Sequence, residues 1–223
     1  MSYDIREMPD QMPAALLEKA GRVETATVGH KRFLGFVDPA IQAILPGRRI
    51  AGTAVTLALP GQDSTLLHHI VQFLRPGDIL VIDRLGDHKH ACLGGGVACA
   101  IKAAGCTGVL IDGTCTDVPE IELYDLPVWC RGPSPITTRL YDVGGAFNVP
   151  VCCGGAVVQP GDVVVCDFSG ALVMPVDEAE DDIDWALGKQ ANEPEGHKRF
   201  QSGTLLGDAS GASRMVTSRL GRH

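Results

Sequence analysis

Aromatic residues make up only 5% of this 223-residue chain, which with its many glycines and prolines suggests tight turns and close backbone contacts. No run approaches the roughly 20 apolar residues that a membrane-crossing helix needs. A basic excess is missing too: the formal net charge is −8, densest at DEAEDDIDW, which argues against a nucleic-acid partner. The eight cysteines contain no Cys-x-x-Cys pair, which removes a zinc knuckle or a thioredoxin-type motif. The opening residues MSYDIREMPDQMP are polar and acidic with no apolar stretch. The cysteines therefore read as reduced packing residues of a cytoplasmic protein, not as a disulfide framework. Neither the phosphate-binding G-x-x-x-x-G-K-[ST] loop nor the G-x-S-x-G nucleophile elbow occurs.

What the chain has in quantity is punctuation, 27 glycines and 14 prolines, set between apolar runs short enough to be single strands or helices. DQMPAALLEKAGR has the spacing of a short amphipathic helix, and RIAGTAVTLAL that of a long strand. DSTLLHHIVQFL predicts a helix capped by Asp63 or Ser64 and stopped at RPGD. ILVID, GVLID and LPVWC predict buried strands, with VACAIKAAG as a helix between the first two. From Ile136 onward the texture is β, with QPGD and DFSG as turns. VDEAEDDIDWALGKQAN then predicts a helix whose first turns are acidic, as the helix dipole favours. With no repeat and no composition break, residues 1–223 read as one α/β domain, and 193–223 as a docking arm or a flexible tail.

Two features carry chemistry. Gly94, Gly95 and Gly96 open a helix, but Cys99 stands where a dinucleotide fingerprint needs its third glycine, and ten residues separate the loop from the preceding strand. That spacing argues against a nicotinamide site. The glycines either permit close chain packing or expose backbone N–H groups that hold a carboxylate. The second feature is GVLIDGTCTDVPEI. Asp112 ends a buried strand, where ligands of open α/β sheets collect. Asp117-Val118-Pro119-Glu120 has the form of a capping box. A carboxylate at that position is also the oxygen donor that a hard divalent cation such as Mg²⁺ selects. His88 and His90 form an H-x-H pair on the preceding loop that chelates a metal or binds nothing.

The succession VDPAIQAILPGRRIAGTAVTL, HHIVQFLRPGDILVID, LGGGVACAIKAAGCTGVLIDGTCTDVPEI, PVWCRGPSP and NVPVCCGGAVVQPGDVVVCDFSGALVMP resembles the RraA-like family. That family holds the regulator of ribonuclease activity A and the class II 4-hydroxy-4-methyl-2-oxoglutarate aldolases. The resemblance implies a swivelling β/β/α sandwich that assembles as a homotrimer or a hexamer with sites between subunits. It implies a divalent metal, Mg²⁺ or Mn²⁺, and a small carboxylate substrate cleaved to pyruvate-type products. Asp117 takes the metal-site position, with Asp112 as a further candidate ligand. Gly94, Gly95, Gly96 and Val97 take the position that receives substrate oxygens. The family's aldolases carry arginine immediately before the metal-site aspartate, and here that residue is Thr116. A cation has to come from elsewhere if the chemistry is kept; Arg84, Lys89 and Arg131 are the candidates, with Arg84 favoured because it directly follows a strand end. The expected function is a metal-dependent carbon–carbon lyase, with a non-catalytic regulatory or binding protein as the alternative.

Overall fold

Ile79, Val81, Leu110 and Trp129 are buried on one side of a sheet, and Leu80, Ile82, Val109, Ile111, Val128 and Cys130 on the other. That alternation, the period of two of a pleated strand, makes short continuous apolar runs serve two cores at once. The computed structural model describes residues 2–220. Its main sheet is built on four parallel strands: β3 (Ile50–Ala58), β4 (Asp78–Asp83), β5 (Gly108–Asp112) and β6 (Val128–Cys130). The short β2 (Gln42–Ala43) closes one edge, antiparallel to β6. Along its other edge β3 is long enough to pair twice. Its first half meets β10 (Val163–Asp167), and its end meets β7 (Gly145–Phe147). β1 (Tyr3–Ile5) extends β7, and β11 (Gly170–Met174) extends β10 as a hairpin.

One face of the sheet is covered by α3 (Thr65–Ile70), α4 (Gly95–Ala103) and α5 (Val118–Leu123), which bury Leu66, Leu67, Ile70, Ala98, Ile101 and Ile121 against it. The opposite face receives a second β layer, the hairpin of β8 (Val151–Cys153) and β9 (Ala156–Val158). This layer packs Val151, Cys153, Ala156 and Val158 around Trp129, whose buried indole N–H donates to the Asp167 carbonyl at 2.8 Å. A third core lies between the β10–β11 hairpin and three helices, α1 (Ala14–Ala20), α2 (Thr25–Val28) and α6 (Val176–Gln201). The architecture is thus the expected β/β/α sandwich.

Three details differ from the sequence reading. The helix expected over 176–192 runs on to Gln201, with Pro194 inside it, because the turn before Pro194 faces solvent and tolerates a missing hydrogen bond. The stretch beyond it forms α7 (Leu206–Ala209) and α8 (Ala212–Leu220), with Leu205, Leu206, Met215, Val216 and Leu220 exposed. The end of the segment 193–223, residues 221–223, lies outside the described residues. Strand β1 was not foreseen, since three exposed residues carry no periodic signal. Six of the eight cysteines are buried, and all are free thiols. No helix among the described residues is long and apolar enough to cross a membrane.

Candidate active site

Parallel pairing sends the chain out of β4 and β5 at the same edge, and there the two exit loops are stitched together. Leu93 bridges to Cys115, and the Thr116 N–H donates to the Leu93 carbonyl at 2.8 Å. Cys115 in turn bridges to Pro133 on the loop after β6. The stitching brings Thr116 and Asp117 against the N-terminus of α4, although more than twenty residues of chain separate them.

Asp117 does not form the capping box that its spacing predicts. Its backbone is left-handed, φ 55° and ψ 45°, and its side chain makes no bond to the first turn of α5. A conformation that aspartate tolerates better than most residues turns the carboxylate toward α4. There Oδ2 accepts the Gly95 N–H at 3.0 Å and Oδ1 accepts the Thr116 hydroxyl at 3.2 Å. This approach explains two of the glycines. A Cβ on Gly94 would lie 2.7 Å from Asp117 Oδ2, and one on Gly95 would lie 1.3 Å from Glu120 Oε2, so a side chain at either position would push one of these carboxylates from its place. A Cβ on Gly96 would meet nothing within 4 Å. Of the N–H groups in the first turn of α4, that of Gly95 is taken. Those of Gly96 and Val97 have no partner among the described residues, as expected for the orphan donors of a helix start.

These groups border a cavity of about 660 Å³. Its floor is Gly94–Val97 with Thr116 and Asp117, and Val71, Val97 and Ala100 form an apolar wall. The remaining side is a strap, Thr137 to Leu140, facing His68 and Gln72 of the α3 region. The strap is held from both directions. Ala91 donates to the Ile136 carbonyl at 2.7 Å, and Arg139 donates to the Gln62 carbonyl at 2.9 Å. Buried Asp63 accepts four bonds, from Tyr141 N–H at 2.9 Å, Val143 N–H at 2.8 Å, Thr65 N–H at 2.9 Å and the Thr65 hydroxyl at 2.6 Å. Burial pushes the Asp63 carboxyl up, but the Thr65 hydroxyl and these N–H groups outweigh it and hold it at about 2.

Other expected site residues lie elsewhere. Asp112 is not turned into the cavity. Its Oδ1 accepts Arg131 Nε at 2.6 Å, with His88 Nε2 at 3.2 Å, and its Oδ2 accepts the Gly154 N–H at 2.7 Å. Oδ2 thus ties the β8–β9 turn to the sheet, while Oδ1 is paired with Arg131. Arg84 is fully buried and does not border the cavity. Its guanidinium donates to the carbonyls of Leu59, at 3.3 Å, and Gly61, and lies 3.8 Å from Asp87. A strand-end arginine was the natural candidate, but the chain folds back over it. His88 and His90 do not converge, since His90 Nδ1 sits 2.7 Å from Asp87 instead. Arg139 and His68 border the cavity and were missed. Arg139 lies in a stretch with no periodicity, and its place depends on the strap's long-range bonds.

As for a metal, no group of three or more His, Cys, Asp or Glu side chains gathers around a common point among the described residues. Mg²⁺ commonly takes only one or two protein carboxylates and keeps several waters. Asp117, which borders the cavity, fits that sparse pattern; Asp112, paired with the Arg131 guanidinium and outside the cavity lining, does not.

A β/β/α sandwich with a helix N-terminus and a carboxylate meeting at the exit edge of its parallel strands defines the class. The family model for RraA-like proteins, described as Aldolase/RraA, matches residues 21–173, and the chain belongs to this family. A relative from Halalkalibacterium halodurans, named "Putative 4-hydroxy-4-methyl-2-oxoglutarate aldolase", is 29% identical over 168 residues, covering 75% of this chain and 79% of its own. Among solved structures, Streptomyces coelicolor RraAS2, described as an unusual member of the RNase ES inhibitor RraA protein family, is 30% identical. Its TM-score is 0.72, with 87% of this chain and 98% of that one covered. The RNA-processing inhibitor RraA from Thermus thermophilus is 26% identical with a TM-score of 0.58, over 63% of this chain and 84% of its own.

The Asp63 anchor gives a pH-dependent expectation. A carboxyl held at about 2, against an ordinary 3.8, contributes stability that is complete above about pH 4 and is lost as pH falls through about 2. Asp63→Asn should lower the unfolding free energy by about 2 kcal/mol at pH 7. Urea titrations of both proteins should show that gap closing between pH 4 and pH 2; a gap constant with pH would mean that the charge is not what holds the strap.

Proposed function

We propose that this chain is a divalent-metal-dependent carbon–carbon lyase that cleaves small 2-oxo acids, by retro-aldol cleavage or decarboxylation, to pyruvate-type products. The observation that carries the reading is the meeting of Asp117 with the open N–H groups of Gly96 and Val97 in one cavity. Asp117 would hold Mg²⁺ or Mn²⁺. Such an ion supplies a Lewis acid at the 2-oxo group. The chain's own groups do the rest. The Gly96 and Val97 N–H groups point out of the start of α4, so an oxygen that gains negative charge during cleavage meets fixed donors at the positive end of the helix dipole. Thr116 orients Asp117 through its hydroxyl. The apolar wall of Val71, Val97 and Ala100 limits water around the substrate.

A second reading, a non-catalytic regulatory or binding protein, is favoured by Thr116 itself, since an uncharged residue stands where the family resemblance implies arginine. The Streptomyces relative described as belonging to an RNase inhibitor family is consistent with it. Release of pyruvate from a panel of 2-oxo acids, with and without Mg²⁺ or Mn²⁺, separates the two. No release from any substrate with either metal refutes the lyase. In this reading the chain is a homotrimer or hexamer of a cytoplasmic protein, with 193–223 as a docking arm and neither nucleic acid nor membrane as a partner.

Asp117→Asn keeps the left-handed backbone but removes the charge. It should reduce turnover at least 100-fold and weaken Mg²⁺ binding by calorimetry, with the melting temperature nearly unchanged. A variant that loses only stability would make Asp117 a structural tie. Thr116→Arg places a permanently charged planar donor beside the cavity. Turnover of oxaloacetate should rise at least tenfold, about 1.4 kcal/mol in the barrier. Light scattering at micromolar concentration should give three or six times the 23.6 kDa chain mass, and a monomer would refute the assembly.

A further inference from the structure

Every arginine from Arg6 to Arg131 lies within 4.0 Å of a carboxylate oxygen, Arg84 and Arg131 included. Arg139 is different. Its guanidinium has no carboxylate partner among the described residues, and its single side-chain hydrogen bond there is a long one, 3.5 Å to the Tyr141 hydroxyl. It also borders the cavity, where it is the one permanently charged cation among the described lining residues.

The contrast between this side chain and its backbone is what points to a ligand. The Arg139 N–H donates to the Gln62 carbonyl, and its own carbonyl accepts the Ser64 N–H, each at 2.9 Å. Asp63, bonded to the N–H groups of Tyr141 and Val143, ties down the chain immediately beyond it. Ala91 does the same on the other side through Ile136 and Thr138. The fold thus fixes the point from which a long cationic side chain departs and then gives its fork of donors no acceptor. A guanidinium presents a planar set of N–H groups matched to a carboxylate. The same cavity is lined by the start of α4 with its open N–H groups, which likewise favour an anion.

We propose that Arg139 is the anion-anchoring residue of this cavity, binding a substrate carboxylate from the strap side with Asp63 as its positioning residue. This deepens the lyase reading by naming the cation and the substrate's charged group, and it rests on that reading only for what happens after binding. A monoanion bridging the strap and the start of α4 is held by one charged contact. A dicarboxylate is held at both ends, so dianions are the favoured class.

The test uses oxalate, a dianion that carries no bond this chemistry could cleave by retro-aldol, and its uncharged analogue oxamide, each titrated calorimetrically into the full chain with and without Mg²⁺. Wild-type protein should bind oxalate in at least one condition. Arg139→Gln should weaken that binding at least tenfold, and Arg139→Lys, which keeps the charge but loses the fork, should recover part of it. Oxamide affinity should be the same in all three proteins. Because Arg139 is exposed and unpaired, the variants should melt with the wild type, so that a loss of binding is not a loss of fold. For the positioning role, Asp63→Asn should weaken oxalate binding at pH 7, where the chain is still folded, without altering oxamide binding. The proposal is overturned if wild-type protein binds no oxalate, if Arg139→Gln binds it as tightly as wild type, or if oxamide falls in parallel. Oxalate binding that depends on Arg139, in a protein that releases no pyruvate from any 2-oxo acid, keeps the anchor and discards the lyase.

Discussion

The parallel register of β3, β4 and β5 is the constraint on which the rest of the molecule depends. Ala58 pairs with Asp83, and Asp83 with Asp112, so two strands end in an acid at the same level of the sheet. Parallel strands need crossovers, and crossovers on one face place α4 and α5 side by side with their N-termini at that same edge. The position of the cavity follows from this. Its floor is the pair of loops leaving β4 and β5, stitched by a backbone bridge before either helix begins.

Two kinds of aspartate result, with different duties set by where their oxygens point. Asp83 and Asp112 sit at strand ends and accept the N–H groups of Cys152 and Gly154, at 3.1 and 2.7 Å, fastening the second β layer over the sheet. Asp117 lies one turn further on, and its left-handed backbone swings the carboxylate to the opposite side, toward α4. A helix start offers several donors and a positive dipole end, more than one carboxylate can satisfy. Asp117 takes the Gly95 donor and leaves the next two. An anion-attracting site therefore remains after the acid has been bound.

The electrostatics of the cavity have a simple layout. One acid, Asp117, stands at the α4 end, and a single arginine stands on the strap. The chain as a whole carries a net charge of −8, so a negatively charged small molecule needs a local reason to approach. The helix start and Arg139 are the two local reasons, and both border the same space. Either a lyase or a binding protein of the RraA-like family could use such a layout. What distinguishes the two readings is whether bond cleavage follows binding.

The sequence by itself determined most of the fold. Continuous apolar runs bounded by glycine, proline and acids marked β3, β4, β5 and β6, and the β-rich second half was legible from its turn signals, because both depend on local periodicity. The glycine loop and Asp117 were also legible as a meeting point, through the family resemblance and the place of each at a helix start. Side-chain direction was not. The spacing Asp-x-x-Glu promised a capping box, but φ at Asp117 is positive, and only the stitched loops impose that value. Asp112 and Arg84 looked like site residues by their place after strands, yet one is spent on Arg131 and Gly154 and the other is sealed under the chain. Arg139 gave no sign at all in the sequence, because its position comes from bonds to Gln62, Ser64 and Asp63, roughly 75 residues earlier. Local patterns encode which segments become strands and helices; which carboxylates stay available, and which cation faces them, depends on contacts distant in the chain that only the tertiary structure supplies.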